Sequence, residues 1–271
     1  MKSRSSFDKL FPQKPIIGMV HLKALPGAPD YSGNFQEVVK SALRDADALQ
    51  EGGVDALMVE NLSDTPFFKD QVGPETVAAM ARIVTLLRQR TTLPLGVNVL
   101  RNDSLSAMAI ATTCDCQFIR VNVLSWAMLA DQGIVEGKAA QLLRYRRYLQ
   151  SDVLVFADCL SKHAFSLVPQ PMEQVAQDTW ERGGADALII SGMATGQETD
   201  YDDVTAARQG APSAPLLIGS GITQQNIEKF LPVVEGVLVG TYFKKDGRVE
   251  NPVDSSRVRA LVALKKSLQP A

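Results

Sequence analysis

Eight short apolar runs, rich in β-branched residues, recur along the chain, and each is followed by a segment with helical spacing. The runs are Ile16–Leu22, Ala56–Leu62, Leu95–Leu100, Phe118–Val123, Val153–Cys159, Ala187–Ser191, Pro215–Gly219 and Gly236–Gly240. Runs of this kind read as strands buried on both faces, which is the habit of parallel sheets. The intervening stretches Phe35–Glu51, Thr76–Arg90, Leu105–Thr113, Glu136–Leu149, Met172–Arg182, Gln225–Leu231 and Val253–Leu268 carry apolar stripes at helical spacing. Asp202–Gln209 is the weakest of the helical patterns. Gly52 and Gly53 stop the first helix, and Pro74 with Glu75 opens the second. Eight strand–helix units in 271 residues predict an α/β fold, the (β/α)8 or TIM barrel. An open doubly wound sheet is the competitor, and eight regular units favour closure.

Glu51-Gly52-Gly53-Val54-Asp55-Ala56-Leu57 returns as Arg182-Gly183-Gly184-Ala185-Asp186-Ala187-Leu188, and Pro94-Leu95 returns as Pro215-Leu216. Strand two thus echoes six and three echoes seven, as in a barrel built from two four-unit halves. No linker or composition shift divides the chain, so residues 1–271 are expected to form a single (β/α)8 domain.

Charge excludes several partners. Lys plus Arg (28) nearly balances Asp plus Glu (30), which argues against nucleic acid as a partner. Three cysteines imply no disulfide framework, and Cys114, Cys116 and Cys159 read as buried and inert. No run is long enough to be an integral membrane segment, and the start of the chain lacks a signal-peptide core. The expected location is cytoplasmic. Lys2, Arg4 and Lys9 near the start, and Arg144, Arg146 and Arg147 on a helix, supply local positive charge; the helical run reads as a solvated face.

Barrels of this class bind at the carboxyl ends of their strands. Those ends carry His21; Glu60 and Asn61; Asn98, with Arg101 and Asp103 just beyond; Arg120 and Asn122; Asp158, followed by Lys162 and His163; and Ser191 and Gly192. Gly219-Ser220-Gly221 and Gly240-Thr241 close strands seven and eight. Ionisable groups are costly to bury at the ends of apolar strands without a reason. His21, Glu60 and Asp158 are the candidate proton carriers, and Arg120 would neutralise bound or developing negative charge. Gly219, Ser220, Gly221, Gly240 and Thr241, with Gly192, form the candidate phosphate cradle, the first glycine turn being read as feeding a helix. Lys244 and Lys245 could add charge. Asn61, Asn98, Asn122, Lys162, His163 and Ser191 complete the mouth.

Other chemistries are disfavoured. Two histidines, His21 and His163, cannot build a multi-histidine metal site, although one histidine with carboxylates could hold Mg²⁺. No lysine lies inside a strand run, which weakens a Schiff-base reading, and no G-x-S-x-G elbow is present.

The segments PIIGMVHLKALPG, GGVDALMVENLSDTPF, GVNVLRNDSLSAMAIA, FIRVNVL, DQGIVEGKAAQLLRYRR, ISGMATG and IGSGIT closely resemble the BtpA (BtpA/SgcQ-like) family from about Pro15 to Leu261. LRND, DQG and LLRYRR lean towards its cyanobacterial branch. The resemblance implies a barrel of the ribulose-phosphate-binding type. It also implies a setting, photosystem I biogenesis and stability at the thylakoid surface, for cyanobacterial members. Members from non-photosynthetic organisms suggest a nucleosidase or a sugar-pathway enzyme. The expectation is a protein that binds a small phosphorylated, sugar- or nucleotide-like metabolite and acts on it by acid–base chemistry. The alternatives are a non-catalytic photosystem I assembly factor, peripheral at the thylakoid, and the nucleosidase or sugar enzyme. A homo-oligomer is compatible with each.

Overall fold

The computed structural model describes residues 4–192, 194 and 196–268; Lys2 lies outside them. Eight parallel strands close into a barrel. In chain order they are β1 (Ile16–His21), β2 (Ala56–Glu60), β3 (Leu95–Asn98), β4 (Phe118–Val121), β7 (Leu154–Asp158), β9 (Ala187–Ile190), β10 (Leu216–Ile218) and β11 (Gly236–Val239). Pairing of β1 with both β2 and β11 completes the ring. The principal outer helices are α2 (Phe35–Gly52), α3 (Pro74–Arg88), α4 (Ser104–Thr113), α5 (Ala139–Tyr148), α6 (Met172–Gln177), α7 (Tyr201–Gly210) and α9 (Ser255–Leu268).

Strand alternation explains where the core ends and the site begins. One set of residues, such as Ile16, Val20, Leu57, Val59, Val97 and Ile119, packs outward against the helices. The other set fills the barrel: Ile17 and Met19, Ala56 and Met58, Phe118, Leu154 and Phe156, Ala187 and Ile189, Leu217, Leu238. Stepping two residues further along each strand reaches His21, Glu60, Arg120, Asp158, Ser191, Gly219 and Gly240. The polar set is therefore the last inward-facing layer of an otherwise apolar interior.

The amino-terminal end of the barrel is plugged. Helix α1 (Ser5–Leu10) brings Phe7 and Phe11 beneath Phe118 and Phe156, whose rings stack 4.8 Å apart. At this end the residue before each even-numbered barrel strand caps the strand before it. Asp55, Gln117, Asp186 and Glu235 accept from the amides of Ile16, Leu95, Val155 and Leu216 at 2.7, 2.9, 2.9 and 2.7 Å. The echoed Asp55 and Asp186 are thus equivalent capping positions, ion-paired to Lys265 and Arg146. Arg144 and Arg147 are exposed, but Arg146 is turned into this seam.

Three helical boundaries differ from the sequence reading. Gly133–Glu136 is strand β6, and it pairs with β5 (Ala127–Ala130), which pairs in turn with β8 (Ala164–Ser166). The following helix therefore starts at Ala139, because Gly133-Ile134-Val135-Glu136 alternates faces with only Val135 buried. The segment after Gln225 is helical over only Ile227–Phe230 (α8). Residues Asp178–Arg182 widen into a π turn closed by the Gly183 amide on Asp178 O. The weak pattern at 202–209 is a full helix, α7. The three cysteines are free and buried.

Candidate anion site at the barrel mouth

A cavity of about 980 Å³ opens at the carboxyl ends of the strands. His21, Glu60, Arg120, Asn122, Lys162, His163, Gly219, Ser220, Gly221, Gly240 and Thr241 lie on its wall, joined by Arg101. The structure thus brings most of the expected mouth residues to one chamber. Asp158, Asn61, Asn98, Ser191 and Gly192 lie behind the wall.

Their hydrogen bonds show why. Asp158 takes Arg120 with both oxygens, Nε to Oδ2 at 3.1 Å and Nη2 to Oδ1 at 2.9 Å, and also accepts from Asn122 Nδ2 at 2.8 Å. Ser191 Oγ adds a longer contact at 3.4 Å. With its lone pairs engaged, Asp158 positions Arg120 rather than meeting a ligand's proton. Asn98 Nδ2 donates to Glu60 Oε2 at 2.6 Å, so it orients that carboxylate. Asn61 ties Leu100 N to Asp64.

Glu60 lies on the wall, as do Asp30 and Asp131. Its Oε1 stands 4.0 Å from His21 Nε2, and its Oε2 stands 4.0 Å from Arg120 Nη1. His21 Nδ1 is buried with no partner among the described residues. Burial first, then the positive charges of Lys244 and Lys162, push the His21 pKa down to about 3. That shift favours the neutral imidazole at physiological pH. A neutral ring can still donate or accept one hydrogen bond.

Lys162 is the group the sequence undervalued. Its Nζ donates to Gly219 O at 3.0 Å, and burial, reinforced by Arg120, lowers its pKa to about 8. A buried amine titrating near neutrality suits proton transfer. Lys244 is different: it is 2% exposed and pairs with Asp45 at 2.6 Å, so it adds long-range charge rather than a contact.

The glycine turns present backbone to the cavity. Gly219 N is committed to Ile190 O. Among the described residues, the amides of Ser220, Gly221 and Thr241 have no acceptor. Gly192 N donates to Ser220 Oγ at 2.9 Å, so it braces the turn and is not part of the cradle. Gly221 has φ +73°, and a side chain there would run into the 197–198 backbone, 2.3 Å from Glu198 Cα. At Gly240 a Cβ would come within 2.7 Å of His21 Cε1. The nearest helix after the first turn is α8, which starts only at Ile227, so the expected helix N-terminus does not follow the turn directly.

Among the described residues no group of three His, Cys, Asp or Glu side chains could hold a metal, and Glu60 already faces Arg120 and Asn98.

Fold and site together define a (β/α)8 barrel whose polar and ionisable groups gather at the strand carboxyl ends around turn amides without an acceptor among the described residues. Within that class the chain belongs to the BtpA family, whose sequence profile matches residues 12–267. It is 43% identical over 256 residues to the photosystem I biogenesis protein BtpA of Synechocystis, covering 94% of this chain and 89% of that one. A Thermococcus kodakarensis protein matches at 47% over 259 residues (96% and 98% covered), so the cyanobacterial leaning of the short motifs is not reflected in whole-chain identity. A Caenorhabditis elegans relative is 32% identical over 251 residues, covering 90% of each chain. Among solved structures, phosphoribosyl anthranilate isomerase from Thermus thermophilus superposes with TM-score 0.56 at 13% identity (94% and 100% covered). A Vibrio cholerae 3-keto-L-gulonate-6-phosphate decarboxylase gives 0.54 at 17% (95% and 100%). At these identities the likeness is one of fold. No helix among the described residues is long and apolar enough to cross a membrane.

Proposed function

We propose that the barrel mouth binds a small phosphorylated metabolite, sugar- or nucleotide-like, and acts on it by acid–base chemistry. One observation carries this reading: the unengaged amides of Ser220, Gly221 and Thr241 share a cavity wall with Glu60, Lys162 and Arg120. Backbone amides without acceptors favour an anion, and these are the two loops where barrels of this class hold phosphate. Lys162, free to exchange a proton near neutrality, and Glu60 are the proton carriers. Arg120, fixed by Asp158, stabilises negative charge, and neutral His21 offers a hydrogen bond. The chain acts as one domain in the cytoplasm.

A non-catalytic role in photosystem I assembly is the second reading, favoured by the name of the Synechocystis relative. A related protein in a nematode, which has no photosystem, supports the metabolite reading over it. The readings coexist if the photosystem effect runs through a metabolite, and any thylakoid attachment would be peripheral and released by salt.

Thermal unfolding against a panel of phosphorylated sugars and nucleotides tests the proposal. A ligand at 100 times its Kd adds ~2.7 kcal/mol, a readily measured shift. Gly221→Val should abolish that shift. Gly33→Val is the control, since Gly33 also has positive φ (+78°) but open space around it. No shift with any panel member at millimolar concentration would refute the phosphate site.

A further inference from the structure

Arg101 is buried at 6% exposure, yet among the described residues no carboxylate oxygen lies within 4.0 Å of its guanidinium. Its Nη2 donates to Ser161 Oγ at 2.9 Å and to the Lys162 carbonyl. Its Nε and Nη1 have no acceptor among the described residues, and Arg101 is one of the residues lining the cavity. The neighbouring carboxylates are engaged elsewhere. Asp158 is held by Arg120 and Asn122, and Glu60 by Asn98. Asp103 accepts from Val72 N, Ser106 N and Ser106 Oγ at the start of α4. Asp131, on the β5–β6 turn, acts on Arg101 only at longer range.

A buried guanidinium without a carboxylate in contact is costly, and this one belongs to a residue that lines the cavity. Its planar fork matches the paired oxygens of a carboxylate or phosphate, which a lysine cannot do. Lys162 separates Arg101 from the amide cradle: its backbone carbonyl accepts from Arg101 while its Nζ donates to Gly219 O. One anion seated on the turn amides therefore leaves Arg101 unanswered, and the chamber, about 980 Å³, has room for a ligand that spans both.

We propose that the ligand carries two anionic groups, a phosphoryl group on the Ser220, Gly221 and Thr241 amides and a second, carboxylate or phosphate, on Arg101. This rests on the phosphate-site reading and adds the substrate class to it. The wall carries Arg101, Arg120, Lys162 and Arg257 together with Asp30, Glu60 and Asp131, and among the described residues only Arg120 of these four cations has a carboxylate within 4.0 Å.

Titration calorimetry on the full chain tests this with flexible probes that impose no sugar stereochemistry. Alkylphosphonates supply one anion, and α,ω-phosphonocarboxylates and α,ω-bisphosphonates of three to six carbons supply two. Wild-type protein should bind the best two-anion probe at least tenfold tighter than the one-anion probe of equal length. The two-anion arms distinguish carboxylate from phosphate at the second position. In Arg101→Met that ratio should collapse to near one. Arg101→Lys, which keeps the charge without the fork, should retain a fraction of it and covers the case in which Arg101→Met does not fold. Equal affinity for one- and two-anion probes at every chain length overturns the proposal, as does an unchanged ratio in both variants. Failure of the one-anion probes to bind wild-type protein removes the phosphate reading itself, and this inference with it.

Discussion

Arg120 and Asp158, on adjacent strands β4 and β7, meet in a two-point ion pair at 2.9 and 3.1 Å, with Arg120 on the cavity wall and Asp158 behind it. Both side chains are almost fully buried, at 4% and 0% exposure, so the pair owes its existence to mutual neutralisation. Breaking such a pair from one side leaves a buried charge unbalanced. Asp158→Asn should therefore destabilise by about 3 kcal/mol, a fall of roughly 6–10 °C in melting temperature. An unchanged melting curve would show that Glu60 alone suffices for Arg120.

His21 makes the fold sensitive to mild acid. Its folded pKa, about 3, lies below its ordinary 6.5 because burial and nearby cations disfavour the imidazolium. Between those values the unfolded chain binds a proton that the folded chain does not, so stability rises with pH. Lowering pH from 6.5 to 5 should cost about 2 kcal/mol through this group. Chemical denaturation at both pH values checks it: His21→Gln should lose that slope, and an equal slope in the variant would assign it elsewhere.

Lys162 ties anion affinity to pH in the opposite sense. Its pKa of about 8 means the ammonium that helps hold an anion disappears as pH rises through that value. Sulfate keeps a constant charge over this range and is the clean probe. Its affinity should fall several-fold between pH 7 and 9, and Lys162→Met should bind weakly and without that dependence. A pH-independent wild-type affinity would place Lys162 outside the anion's reach.

The caps at the plugged end should matter to stability alone. Asp186→Ala removes the acceptor of Val155 N and the partner of Arg146 and should cost about 2 kcal/mol. Gln117→Ala removes one neutral bond, to Leu95 N, and should cost about 1 kcal/mol. Neither should change sulfate affinity, since both sit at the opposite end of the barrel from the cavity. A loss of affinity in either would show that the two ends are coupled.

The barrel and its last inward layer were legible because strand alternation is periodic. Once Ile17 and Met19 are core, His21 must face the same interior, and the same holds for Ala56, Met58 and Glu60. The echo of Asp55 in Asp186 was visible as a repeat, but its cause, a carboxylate capping the preceding strand, needed coordinates. Sequence could not separate wall from second layer: Asp158 and Glu60 both end strands, and only their hydrogen bonds show that one faces the chamber. Lys162 and Arg101 lie in loops, beyond the reach of periodicity. The β5–β6–β8 sheet was missed because its strands are short and one face is exposed, as Leu129, Ile134 and Phe165 show.

The most direct test of the central claim is a crystal structure grown or soaked in millimolar phosphate. Phosphate should lie in the barrel mouth, with oxygens within hydrogen-bond distance of the amides of Ser220, Gly221 and Thr241 and of Lys162 Nζ. Phosphate ordered elsewhere on the molecule while those amides contact only water would contradict it.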